Sequence, residues 1–107
     1  GGIGVILADK AAQLGYDLPE LTAPAQARLH QAAPLTTTVN PVDMGTMDFF
    51  HMAMEELLAQ EDFGTVLAAI GHFGFLADRM DLFLGRMEEF RARHPGRFIG
   101  LSANYQY

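Results

Sequence analysis

The sequence predicts one α/β domain over residues 1–107, a parallel sheet with helices on both faces, lacking its first strand. Three observations predict it. Segments with helical apolar spacing alternate with short apolar or β-branched runs. One run, Thr65-Val66-Leu67-Ala68-Ala69-Ile70, is continuously apolar after its threonine and too short for a helix, as a central strand buried on both faces would be. The chain also opens on Gly1-Gly2-Ile3-Gly4, glycines that belong just after a strand that is not there. The missing strand marks either a piece of a longer protein or a strand supplied from elsewhere.

In chain order, Ile3, Leu7, Ala11 and Leu14 lie along one stripe of a first helix, and Gly15 stands where a left-handed cap belongs. Residues 16–21 contain Pro19 and read as an extended connection or a short edge strand. Thr22 caps a second helix that tolerates Pro24 in its first turn and runs to about Ala33, before Pro34 forbids continuation. Leu35-Thr36-Thr37-Thr38-Val39 is β-branched and predicts a strand or strand-like segment, ending in the turn chemistry of Asn40-Pro41-Val42-Asp43-Met44-Gly45. Thr46 caps a third helix with Asp48 in its first turn and Phe50, Ala53, Met54 and Leu57 on its buried face. After the central strand comes a loop, Gly71-His72-Phe73-Gly74. Met80, Phe83, Met87 and Phe90 then mark the last helix, His94-Pro95-Gly96 stops it, and residues 97–102 form a final strand.

The composition narrows the function. Half of the 107 residues are apolar and 19% are charged, which is globular rather than disordered. A formal net charge of −6 with seven basic residues, one of them lysine, argues against a polyanion-binding surface, so no nucleic-acid partner is expected. Arg91, Arg93 and Arg97 decorate a helix C-terminus, where positive charge is favourable. The absence of cysteine excludes disulfides, thiolate metal sites and a cysteine nucleophile, and suits a reducing compartment. No apolar run reaches the roughly eighteen residues of a membrane span, and the first residues lack the basic start of a signal peptide. A cytoplasmic location and no membrane partner are therefore expected.

In open α/β sheets ligands gather beyond the carboxyl ends of the strands. Three segments are expected there: residues 1–4, 40–45 and 71–74. The first carries the sharpest chemistry. Glycines let backbone approach a ligand closely, and the free amides of a helix's first turn carry about half an elementary charge of dipole toward it. Phosphate suits such a turn, and Gly1, Gly2, Ile3 and Gly4 are its candidate binding residues; tight packing of helix on sheet explains the same glycines. Asn40, Asp43 and His72 are candidates for the rim of the site, against the alternative that Asn40 and Asp43 only shape a turn and that His72 is structural. His30, His51 and His94 read as solvent-facing or helix-terminal. His51 and Glu55 share a helix face, but two residues do not make a metal site, and no metal is expected. A dinucleotide fingerprint fits poorly, no nucleophile elbow is present, and the six methionines fill core rather than bind copper.

Taken in order, the glycine start 1–9, the connection Leu14-Gly15-Tyr16-Asp17-Leu18-Pro19-Glu20-Leu21 and the loop Asn40-Pro41-Val42-Asp43 resemble the last, flavodoxin-like α/β domain of NDP-forming acyl-CoA synthetases. This is the ligase-CoA type domain of ADP-forming acetate–CoA ligase, related to the C-terminal domain of the succinate–CoA ligase β subunit. The family pattern is a strand, an SGG-x-G helix start, a G-x-x-L-P-x-L connection and an NPVD loop, and the likeness covers most of the chain. The resemblance implies a three-transfer cycle through an acyl phosphate and a phosphohistidine, in which Gly1, Gly2 and Gly4 belong to the phosphate-binding turn and Asn40 and Asp43 lie near the same site. CoA, ATP/ADP and Mg2+ would serve the parent enzyme and not this piece alone. Its partners would be the CoA-binding, phosphohistidine and ATP-grasp domains, with self-association at the open strand edge. The sequence departs from the pattern in three places. The SHTG histidine segment is absent, so none of the four histidines inherits that role and no catalytic residue is expected here. Thr22-Ala23-Pro24-Ala25 lacks the acidic capping residues often seen in the family. His72-Phe73-Gly74-Phe75 replaces a loop that commonly contains proline. Two other classes stay open: a non-catalytic binding or regulatory module of a protein acetyltransferase-type chain, and an FMN-binding flavodoxin, whose Ser/Thr-rich phosphate loop is not evident.

Overall fold

The computed structural model describes residues 2–43, 49–72 and 80–104. They form α1 (Gly2–Gln13), α2 (Ala23–Ala32), α3 (Phe50–Ala59), β1 (Thr65–His72), α4 (Met80–Arg93) and β2 (Phe98–Asn104). Four helices and a two-stranded parallel sheet thus make an α/β fold. The chain divides into two compact units, Gly1–Asp62 and Phe63–Tyr107.

In the first unit, local signals set the helix ends. α1 closes on Gly15, whose φ of +87° is open to glycine at no steric penalty. The Gly15 amide donates to the Ala12 carbonyl at 3.1 Å and the Tyr16 amide to Ala11 at 3.0 Å, the double bond pattern of a Schellman end. Residues 16–21 are an extended connection, as one of the two sequence readings has it. Thr22 stands in extended conformation ahead of α2, and its hydroxyl accepts from the Ala25 amide at 3.3 Å, with Pro24 in the first turn. The core of this unit is Leu21, Ala25, Leu29 and Ala33 with Ala53, Met54 and Leu58. Ala25 and Leu29 are the buried side of α2, and Leu21 ahead of its cap and Ala33 at its C-cap are buried at its two ends. On α3 the buried face turns slightly from the expected one: Leu58 is buried, whereas Phe50 and Leu57 are half-buried. The expected cap Thr46 and first-turn Asp48 lie outside the described residues.

The expected strand at 35–39 is corrected. That stretch is a loop folded back on itself, closed by one antiparallel bridge in which Thr37 and Asp43 exchange amide-to-carbonyl bonds of 3.0 and 2.8 Å. Its threonines explain the departure from the β-branched expectation. The Thr36 hydroxyl donates to the Ala33 carbonyl at 2.7 Å and the Thr38 hydroxyl to Gln26 at 3.1 Å, so local and side-chain bonds outcompete a ladder.

In the second unit β1, α4 and β2 form a strand–helix–strand crossover. β1 and β2 pair in parallel from Thr65↔Phe98 to Ile70↔Ala103, and a shift in register precedes His72↔Asn104. Gly71 is the residue left over at that shift, so β1 continues through Gly71 and His72, which the sequence reading puts in a loop; glycine tolerates the bulge. A second correction concerns burial. Val66 and Ala68 are buried, but Leu67 is 56% exposed, so β1 is covered on one face rather than two. Gly64 starts the ladder by accepting the Phe98 amide at 3.1 Å, and Arg97 donates to the Phe63 carbonyl at 2.9 Å. α4 buries Phe90, ends with Arg91 and Arg93 in its last turn, and sets the Arg93 guanidinium 5.3 Å from the Phe90 ring centre, as the helix-terminal reading of these arginines expects.

Candidate functional site

α1 begins at Gly2, so the amides of Gly2, Ile3 and Gly4 have no partner within the helix. No acidic residue stands in that first turn to occupy its positive end. Gly1 lies outside the described residues. The turn is flanked by the loop that carries Asn40 and Asp43: a β-carbon on Gly4 would sit 3.6 Å from the Pro41 β-carbon, an ordinary van der Waals contact. Gly4 and Pro41 are therefore neighbours.

The Asn40–Pro41 peptide is cis. Asn40 is half-buried and its side-chain amide donates to the Pro19 carbonyl at 3.2 Å, tying the loop to the connection between α1 and α2. Asp43 supplies both backbone groups of the bridge to Thr37. Asn40 thus anchors the loop to a segment distant in sequence, and Pro41 is the loop residue that faces Gly4. Since the expected strand ahead of it is a loop, this segment does not sit beyond a strand end. His72 falls in the other unit, at the last position of β1, and its side chain lies outside the described residues.

Sequence reasoning missed the polar side chains that hold this loop. Gln26 donates to the Leu21 carbonyl at 2.9 Å and accepts from the Thr38 hydroxyl; His30 Nε2 stands 3.2 Å from both the Thr36 carbonyl and the Thr38 hydroxyl. Thr38 is buried to 3% exposure. The pair at separations of twelve and eight residues leaves no local signature; the one available hint is that Gln26 and His30 share a helix face. Gln60 at the end of α3 was missed too. Its amide donates to the Glu20 carbonyl at 2.8 Å and accepts the Thr22 amide at 3.0 Å, clamping the start of α2.

Among the described residues no three of His, Asp and Glu are placed to hold a metal ion, and no helix is long and apolar enough to cross a membrane. Comparison with protein-family models, with curated proteins and with solved structures finds no match to this chain.

Proposed function

We propose that the chain is a ligase-CoA type domain of an NDP-forming acyl-CoA synthetase, completed in its parent to a flavodoxin-like three-layer sheet, and that the first turn of α1 binds a phosphoryl group. The observation that carries this reading is the contact between Gly4 and Pro41, which sets the glycine turn beside the Asn40-Pro41-Val42-Asp43 loop. These are two of the three segments whose order in the chain resembles the family. The chemistry asked of the turn is electrostatic: fixed amide donors and a helix dipole aimed where negative charge resides, with no covalent step by this chain's own groups. CoA, nucleotide and Mg2+ would be held by other domains, and the acid–CoA ligase activity would belong to the assembled cytoplasmic enzyme.

A proline at position 2 tests the role cleanly. It stands at the first helical position, where proline fits and removes one amide donor without breaking the helix. In the parent ligase, Gly2→Pro is expected to suppress formation of the phosphohistidine, while far-ultraviolet circular dichroism of this domain stays as it was. Phosphorylation at the unaltered rate and extent refutes the role. In the domain itself, inorganic phosphate is expected to shift the amide resonances of Gly2, Ile3 and Gly4; a titration that moves none of them counts against binding at this turn.

A further inference from the structure

The polar contacts behind the loop fix one another's hydrogens in sequence. The Leu21 carbonyl can only accept, so the Gln26 side chain must turn its NH2 toward it. Gln26 Oε1 then faces Thr38, and the Thr38 hydroxyl must donate its one hydrogen there, at 3.1 Å. Toward His30, 3.2 Å away, that hydroxyl can only accept. His30 Nε2 therefore carries a hydrogen, shared between the Thr38 oxygen and the Thr36 carbonyl, each at 3.2 Å. Each acceptor in this relay, the Leu21 and Thr36 carbonyls, Gln26 Oε1 and the Thr38 oxygen, has a donor, which is the condition for burying a threonine as deeply as Thr38.

We propose that residues 36–43 form a strap clasped to α2 through the Thr38 hydroxyl, with His30 held as the Nε2–H tautomer, and that the strap opens as one unit while the helices stay folded. Its base is the Thr37–Asp43 bridge, its middle is Thr38 on Gln26 and His30, and its far side is Asn40 on Pro19. No apolar residue of the strap is fully buried: Pro41 and Val42 are half-buried, Val39 is 42% exposed, and Leu35, just ahead of the strap, is fully exposed. A segment held by a few polar contacts and little apolar burial is the kind that opens locally below the global unfolding free energy. Because the strap carries Asn40 and Asp43, the clasp sets how these residues are presented, whatever ligand meets them. The inference does not depend on the phosphoryl reading.

The test uses the full chain labelled with 15N. Long-range proton–nitrogen correlation of neutral His30 is expected to show Nε2 protonated and Nδ1 bare; a predominant Nδ1–H form overturns the clasp. Amide exchange at Thr37 and Asp43 reads the strap. Thr38→Val is expected to speed both roughly tenfold, as loss of a buried hydrogen-bond centre does. Thr38→Ser restores protection, and in the unaltered protein Thr37 and Asp43 are expected to exchange faster than the core amides of α3. Unchanged exchange at Thr37 and Asp43 in Thr38→Val overturns the proposal, and so does protection of these two amides equal to that of the α3 core in the unaltered protein, because the loop then opens only with the helices.

Discussion

Arg28 on α2 and Glu56 on α3 form a two-pronged ion pair, Nε to Oε1 and an NH2 nitrogen to Oε2, each at 2.7 Å. The fork geometry fixes the angle between the two side chains, so the pair registers the helices and does more than attract them. The hydrogen bonds from Arg28 hold the Glu56 carboxyl below the ordinary carboxylate range; partial burial opposes them and charge attraction adds to them.

A pH dependence follows from that direction. In the unfolded chain Glu56 has the higher pKa, so the unfolded state takes up its proton first as pH falls. The stabilisation from the pair is present above the unfolded-state pKa and is lost as acid titrates through the depressed folded-state value. Urea unfolding at a series of pH values, compared with Glu56→Gln, measures it. The difference in midpoint between the two proteins is expected to be largest near neutrality and to shrink on acidification. A difference that is constant with pH contradicts the assignment.

Two glycines predict opposite signs for one substitution. Gly15 has room for a β-carbon but a φ of +87°, so Gly15→Ala meets backbone strain alone and is expected to destabilise by about 1 kcal/mol. Gly85 lies inside α4, also with open space around it, where alanine removes backbone freedom from the unfolded chain. Gly85→Ala is expected to stabilise by about 0.5–1 kcal/mol. With no tryptophan in the chain, circular dichroism against urea is the suitable readout. The same sign at both positions contradicts the assigned backbone conformations.

The start of α2 makes a third case. Thr22→Ala removes the hydroxyl that accepts the Ala25 amide and is expected to cost about 1 kcal/mol, while Thr22→Ser keeps the bond and most of the stability. Both variants leave the backbone amide of Thr22 on Gln60, so the comparison isolates the cap. Equal losses for alanine and serine would show that the methyl group, not the oxygen, matters.

What the sequence makes legible here is local. Thr22, Pro24 and Pro34 bracket α2 because capping and proline geometry act within one turn, and Gly15 ends α1 for the same reason. The stretch 35–39 misleads because β-branching is equally at home in a strand and in a loop whose threonines find acceptors on α2. β1 outruns its expected end because a glycine reads as a loop even where it serves a bulge. For the candidate site, Gly4 lies beside Pro41, a proximity across the first unit that no local signal in the chain sets. The side chains that hold the 40–43 loop, Gln26 and His30, belong to no motif and become visible only once α2 is placed against it.

Gly100 supplies the most discriminating packing test. Its register partner on β1 is Leu67, and a β-carbon on residue 100 would lie 2.7 Å from Leu67 Cδ2 and 3.1 Å from Phe98 Cε1. Both distances demand movement, yet both atoms are the far ends of side chains that are more than half exposed, Leu67 at 56% and Phe98 at 64%. Such side chains can turn outward, so Gly100→Ala is expected at the mild end of overpacking, about 1 kcal/mol. Leu67→Ala removes the closer atom and should itself change little, since its side chain gives up mostly solvent contact. The double variant is therefore expected to recover most of the Gly100→Ala loss, a coupling that a double-mutant cycle in urea measures. If the loss persists undiminished without the Leu67 side chain, the obstacle lies in the Phe98 ring or the strand backbone, and the close approach of Leu67 Cδ2 is not what limits alanine at position 100.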